Sequence, residues 1–105
     1  MRVIVFGAAL ALIAAPSLAD PMTDLARSRQ CFSCHDVSGQ LLAQSFETIA
    51  KKYHGVKNAD AYLAGIIQKG GIEHFGPDLM PSAGARVKVS DADAKALASW
   101  ILTMK

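Results

Sequence analysis

Apolar residues recur at helical spacing in four segments of the chain, and no segment alternates apolar and polar residues as a half-buried strand does. The clearest segment closes the chain, where Ser90 and Asp93 form a capping box and apolar residues follow three and four positions apart. Each earlier segment begins after a residue that can cap a helix. The pattern therefore predicts an all-α fold of about four short helices.

Capping residues and glycines set the expected limits of these helices. The predicted spans are Thr23 toward Arg29, Ser45 to a stop at Gly55, Asn58 to a stop at Gly70, and Ser90 to the end of the chain. The apolar residues expected to pack in the core are Phe46, Ile49, Ala50 and Tyr53 in the second helix, Tyr62, Leu63, Ile66 and Ile67 in the third, and Leu97, Trp100, Ile101 and Met104 in the fourth.

The stretch from Gly71 to Val89 separates the third and fourth predicted helices and has no periodic pattern. Its glycines and prolines rule out a long helix. Nineteen residues are too many for a connection without a role in so small a domain. We therefore expect a contact within this loop to hold it in place.

The first residues have the three-part layout of a secretory signal peptide. Arg2 gives a positive start, an apolar run covers residues 3–15, and small residues up to Ala19 suit a signal peptidase. The run is shorter than the roughly twenty apolar residues that a membrane-spanning helix needs. We predict a signal peptide over residues 1–19, a single domain over residues 20–105, and a periplasmic location without stable membrane insertion after cleavage.

The predicted mature chain is almost neutral. The full chain has 11 Lys and Arg against 9 Asp and Glu, and removal of the leader takes away Arg2 alone. A nucleic-acid-binding protein concentrates basic residues on one face, so the composition argues against that class. The mature chain is also near the lower size limit for a core without a staple, metal or cofactor.

The chain has two cysteines, Cys31 and Cys34, and His35 directly follows the second. C-x-x-C-H is the attachment motif of c-type heme: both thiols form thioethers with the porphyrin, and the histidine binds the iron. Only this chemistry requires a histidine immediately after the second cysteine. We predict one covalently attached heme c with His35 as an iron ligand.

Three other chemistries use paired cysteines. A thioredoxin-type dithiol follows a strand, which the pattern does not supply. A structural zinc site needs four ligands, and no second pair stands at ligand spacing. A disulfide between Cys31 and Cys34 would close too small a loop to stabilise the fold much. The dithiol is the main alternative that remains.

The second axial position of the iron decides what a heme does. Methionine there favours electron transfer and raises the reduction potential, whereas an open position favours gas binding or peroxide activation. The candidates are Met22, Met80, Met104, His54 and His74. Met80 lies in the middle of the unexplained loop, beside Pro81, and iron ligation would anchor that loop. We predict Met80 as the second ligand, with His74 or an open site as the alternative.

From about Thr23 to Lys105 the chain resembles the short bacterial class I cytochromes c, the cytochrome c-551/c-552 type. The segments that carry the resemblance are CFSCH, the Ser45–Tyr53 and Ala59–Gln68 helices, GPDLMP and the closing helix with Trp100. The resemblance implies a class I cytochrome c fold wrapped around one heme. It also implies that Cys31 and Cys34 are the thioether sites, His35 the proximal ligand and Met80 the distal ligand.

The chain departs from the family's pattern at three places. Ala43-Gln44 stands where the family has Gly-Pro, and we expect the Gln44 carbonyl to orient the proximal imidazole. Ser82-Ala83 replaces Pro-Asn, whose asparagine can hydrogen-bond the methionine sulfur. The run from Gly84 to Val89 is longer than usual.

These features predict an electron-transfer protein rather than an enzyme. We expect a monomeric periplasmic one-electron carrier that docks transiently with a redox-protein donor and acceptor of a respiratory chain or dehydrogenase, with weak salt dependence. The lysines that are candidates for surrounding the heme edge are Lys51, Lys52, Lys57, Lys69 and Lys88. The alternatives are a heme-based sensor or peroxidase-like protein with a displaceable Met80, and a dedicated cytochrome subunit of a periplasmic dehydrogenase.

Overall fold

The computed structural model describes residues 2–9, 20–71, 80–81 and 86–105. Its four α-helices are α1 (Pro21–Ser28), α2 (Phe46–Tyr53), α3 (Ala59–Lys69) and α4 (Asp91–Leu102), and a short 3₁₀ helix, Cys31–Ser33, follows α1. The β pairing within the described residues is a single antiparallel bridge between Gly71 and Met80. The fold is all-α, as the sequence predicts.

Two of the predicted helix caps are confirmed. The Ser45 hydroxyl accepts a hydrogen bond from the Thr48 amide at 3.1 Å, and the Ser90 hydroxyl accepts one from the Asp93 amide at 3.1 Å. Each bond satisfies one of the amides that the first turn of a helix leaves without a helical partner. The start of the second and fourth helices is therefore encoded locally.

The predicted cap of the first helix is wrong. Asp20 is the cap, and its carboxylate accepts a hydrogen bond from the Met22 amide at 3.0 Å. Thr23 lies inside α1 and donates its hydroxyl to Asp20 at 3.1 Å. Pro21 explains the earlier start, because its fixed φ suits the first helical position and its missing amide costs nothing there.

Asn58 stands at the predicted N-cap of α3 but does not cap it through its side chain. Its φ of 58° lies in the left-handed region, which asparagine tolerates better than most residues. Asn58 therefore starts the helix through its backbone conformation. The helix ends at Gly70, the predicted stop.

Helix α4 is the centre of the core and packs against α1, α2 and α3. Leu97 on α4 is fully buried, and it joins a cluster with apolar residues of the other three helices. The predicted core residues are buried or partly buried except Tyr62, which is 50% exposed. The buried face of α3 instead runs through Leu63, Ala64 and Ile67, because the helix turns Tyr62 toward solvent.

Several sequence predictions concern residues outside the described part of the chain. The predicted leader does so at residues 10–19, the loop between α3 and α4 at residues 72–79 and 82–85, and the alternative ligand His74 lies in the first of these loop ranges. Within the described part of the chain, no helix combines the length and apolar character needed to cross a membrane.

Candidate functional site

The cysteine motif forms a tight helical turn just after α1. The amides of Cys34 and His35 both donate to the Cys31 carbonyl, at 3.3 and 2.9 Å. Gln30 precedes the turn with a φ of 61°, which redirects the chain between α1 and the motif. The two cysteines are half-buried and do not form a disulfide, so both sulfurs remain available for thioether bonds.

His35 is buried, and Gln44 and Phe46 both contact its ring. Its Nδ1 lies 2.7 Å from the Gln44 carbonyl oxygen. A carbonyl can only accept a hydrogen bond, so Nδ1 carries the proton and Nε2 carries the lone pair of the neutral ring. Phe46 stacks on the imidazole with ring centroids 5.3 Å apart and an angle of 22° between the planes. The Gln44 carbonyl therefore makes the expected contact with the imidazole.

An apolar cavity opens beside His35. The cavity and the open space at its mouth measure about 450 Å³ together. The residues that line it are Cys31, His35, Phe46, Ile49, Leu63, Ile66, Ile67, Met80 and Ile101. The lining offers a thiol, an imidazole and a thioether among hydrocarbon side chains. A c-type heme requires these donors and a second thiol. Cys34 carries that thiol at the end of the same turn but does not line the cavity. The residues therefore fit a c-type heme.

Met80 reaches the cavity through the loop after α3. Its amide donates to the Gly71 carbonyl at 2.9 Å, and its carbonyl accepts from the Gly71 amide at 3.0 Å. This pair of bonds fixes the Met80 backbone at the end of α3. The hydrogen bonds with Gly71 therefore hold Met80, which lies in the loop where we expected a contact of this kind.

The other candidate ligands in the described residues do not line this cavity. Met22 and Met104 are partly buried and pack around the helical core, and His54 is exposed after the last turn of α2. His74 lies outside the described residues. Among the described candidates, Met80 is therefore the residue that the fold brings to the same cavity as His35.

Burial also affects the Cys31 thiol. Desolvation raises its pKa above the ordinary cysteine value, and the positive charge of Arg86 opposes that rise. In the described part of the chain, no three His, Cys, Asp or Glu side chains cluster as a metal site. The zinc alternative therefore finds no ligand set there.

Sequence reasoning missed Arg86. This residue lies in an aperiodic segment, and its partners are main-chain carbonyls, which have no signature in a sequence. Phe46 was predicted as a core residue, but its stacking on His35 was not, because helical periodicity says nothing about contacts with a neighbouring turn.

Comparison with known proteins agrees with this fold. The family model for cytochrome c matches residues 20–105. The chain belongs to the cytochrome c family and has the architecture of a short monoheme class I cytochrome c. Proteins of this family carry electrons on a covalently attached heme c and are not enzymes.

Two relatives and one solved structure show how similar this chain is to known cytochromes. Cytochrome c-552 of Nitrosomonas europaea is 43% identical over 100 residues, which cover 95% of this chain and 92% of the relative. Cytochrome c-552 of Hydrogenobacter thermophilus is 43% identical over 81 residues, 77% of this chain and 79% of the relative. The crystal structure of the Nitrosomonas europaea protein has a TM-score of 0.73 at 44% identity and covers 79% of this chain and 99% of its own.

Proposed function

We propose that this cytochrome is a periplasmic one-electron carrier with a His/Met-ligated heme c. Cys31 and Cys34 would form the thioether bonds to the heme, and His35 and Met80 would hold its iron. The observation that carries this assignment is that Cys31, His35 and Met80 line one apolar cavity. Family membership supplies the heme, and the cavity supports the choice of ligands.

A heme bound in this cavity supplies a one-electron exchange between ferrous and ferric iron. The chain's own residues tune and protect that exchange. The Gln44 carbonyl holds the proton of His35 on Nδ1, which leaves Nε2 free to bind the iron of a heme and would raise its basicity. As an iron ligand, the Met80 thioether would favour the reduced state, and the hydrocarbon lining would limit the access of water to the iron.

The proposal includes export and transient docking. We assign residues 1–19 to a cleaved signal peptide and residues 20–105 to the mature domain, and the family match beginning at residue 20 supports that boundary. The mature protein is a monomer without membrane insertion that meets its donor and acceptor in brief encounters. Exposed lysines around the domain provide a steering surface: Lys51, Lys52, Lys57, Lys69 and Lys88.

Visible spectroscopy of the Met80→Ala protein tests the axial ligand. The oxidised wild type should show the weak red band of a ferric–thioether bond and should not bind carbon monoxide when reduced. Met80→Ala should lose the band, bind carbon monoxide and have a lower reduction potential, because the thioether is gone.

Met104→Ala is the matched control, since Met104 is a partly buried methionine that does not line the cavity. It should keep the red band and exclude carbon monoxide. A wild-type protein that lacks the band and binds carbon monoxide readily would contradict His/Met ligation and favour a gas sensor. Stable co-purification with a large periplasmic partner would contradict a free carrier and favour an enzyme subunit.

A further inference from the structure

Arg86 joins two segments that are far apart in the sequence. Its Nε–H donates to the Pro81 carbonyl at 2.8 Å, and an Nη2–H donates to the Ile67 carbonyl at 2.8 Å. The side chain is half-buried, so both bonds are partly shielded from water. Pro81 directly follows Met80, and Ile67 lies in the last turns of α3. The guanidinium therefore connects Met80–Pro81 (the Met80 segment) to the end of that helix.

The Ile67 carbonyl is available because of how α3 ends. In a continuing helix, the Gly71 amide would donate to Ile67, but here it donates to Met80. The Gly70 amide still closes the last turn on Ile66 at 2.8 Å. The Ile67 carbonyl is thus left without the Gly71 amide as a donor. It lies at the negative end of the helix dipole, where a cation is favoured. Arg86 supplies that cation and the hydrogen bond together.

Two sets of hydrogen bonds hold the adjacent residues Met80 and Pro81. One is the pair between Gly71 and Met80 (the Gly71 bridge), and the other is the two bonds from the Arg86 guanidinium (the Arg86 clamp). The bridge fixes the Met80 backbone by two hydrogen bonds, and the clamp fixes the Pro81 carbonyl. Ile67 and Met80 both line the cavity. An interaction that fixes Pro81 to α3 therefore restricts the distance that the Met80 side chain can move from the cavity.

We propose that Arg86 is a positioning residue that holds Met80 in place as an axial ligand. The inference rests on the proposed ligation by Met80. Without the two hydrogen bonds of Arg86, the Met80 thioether should compete less well with an added ligand for the heme iron. A hydrogen bond that involves a charged group contributes enough to change such an equilibrium about tenfold or more.

The test is imidazole binding to the oxidised heme protein, because imidazole competes with Met80 for the iron. Arg86→Gln should bind imidazole about tenfold more tightly than wild type. Arg86→Lys keeps the charge but loses the planar fork that reaches two carbonyls, and it should also bind more tightly. Amide hydrogen exchange at Gly71 and Met80 should be faster in both variants, since these amides form the bridge.

Arg29→Gln is the matched control. Arg29 is also half-buried, and it joins the end of α1 to α4 through a 3.0 Å ion pair with Asp93. Its side chain donates to Ser28 and Asp93 rather than to Ile67 and Pro81. It should lower the urea resistance of the protein without changing imidazole affinity or exchange at Gly71 and Met80. This separates positioning of Met80 from a general loss of stability.

Two results would overturn the inference. Equal imidazole affinity in wild type and Arg86→Gln would show that the clamp does not hold Met80. A wild-type affinity in Arg86→Lys would show that Arg86 acts through its charge alone. Equal affinity in wild type and Met80→Ala would instead contradict the proposed ligation, whatever the Arg86 variants do.

Discussion

A main-chain carbonyl and an aromatic ring orient the imidazole of His35. The Gln44 carbonyl fixes the protonated nitrogen, and the Phe46 ring lies against the imidazole face. Phe46 also contacts Trp100 edge-on, with ring centroids 5.6 Å apart, so the wall behind His35 is part of the core. Movement of the ring is therefore coupled to the packing of α2 and α4.

Substitution of Phe46 should affect both stability and the iron. Phe46→Ala removes a buried ring and should lower the free energy of unfolding by about 3–5 kcal/mol. It should also lower the reduction potential, because a wetter cavity favours the ferric state. Urea unfolding and a redox titration of the heme protein measure the two effects.

Leu97→Ala is the control for Phe46. Leu97 is fully buried on α4 and does not line the cavity. It should lose about 2–5 kcal/mol of stability with little change in potential. An unchanged potential in Phe46→Ala would show that this ring does not shape the surroundings of His35.

At the level of single residues, sequence reasoning succeeded where chemistry is local to a motif. Cys31, Cys34 and His35 stand together in the chain, and their turn follows from their spacing. Arg86 was missed because its acceptors are carbonyls at positions 67 and 81, which any residue would supply. Main-chain partners are set by the fold and leave no trace in residue identity.

The helices follow signals of different strength. Ser45 and Ser90 were predictable caps, because a hydroxyl that accepts from the amide three residues later is a local interaction. The cap of α1 was misplaced because Thr23 and Asp20 compete for that role, and Pro21 decides it. Tyr62 was wrongly predicted in the core. It stands at the edge of the apolar face of α3, and an amphipathic tyrosine there can be either buried or exposed.

Gly65 within α3 and Gly70 directly after it should respond oppositely to alanine. Gly70 has φ 73° and ψ −179°, a region that is almost restricted to glycine. Gly70→Ala should therefore cost about 1–3 kcal/mol of stability. Gly65 lies within the helix, and a Cβ there would meet no atom within 4 Å. Gly65→Ala should stabilise the protein by about 0.5–1 kcal/mol.

Urea unfolding followed by the fluorescence of the single tryptophan, Trp100, measures both variants. A Gly70→Ala protein as stable as wild type would mean that α3 does not end through this backbone conformation. The exit of the chain toward Gly71 and Met80 would then need another explanation.

The cavity belongs to the molecule as a whole. The 3₁₀ turn, α2, α3, α4 and the Met80 segment all contribute residues to its wall. Periodicity predicted most of these residues as core, but it could not show that they leave a gap between them. In so small a domain a cofactor completes the core. The sequence could therefore predict heme from its motif, whereas the shape of its cavity required the assembled helices.

The most direct test of the account is the mass of the chain purified from the periplasm. We predict a polypeptide that begins at Asp20 and carries the mass of one heme. The added mass should lie on the peptide that contains Cys31 and Cys34 and should survive extraction with acidic acetone. A chain of unmodified mass, or a pigment that the solvent removes, would contradict covalent attachment and with it the assigned site.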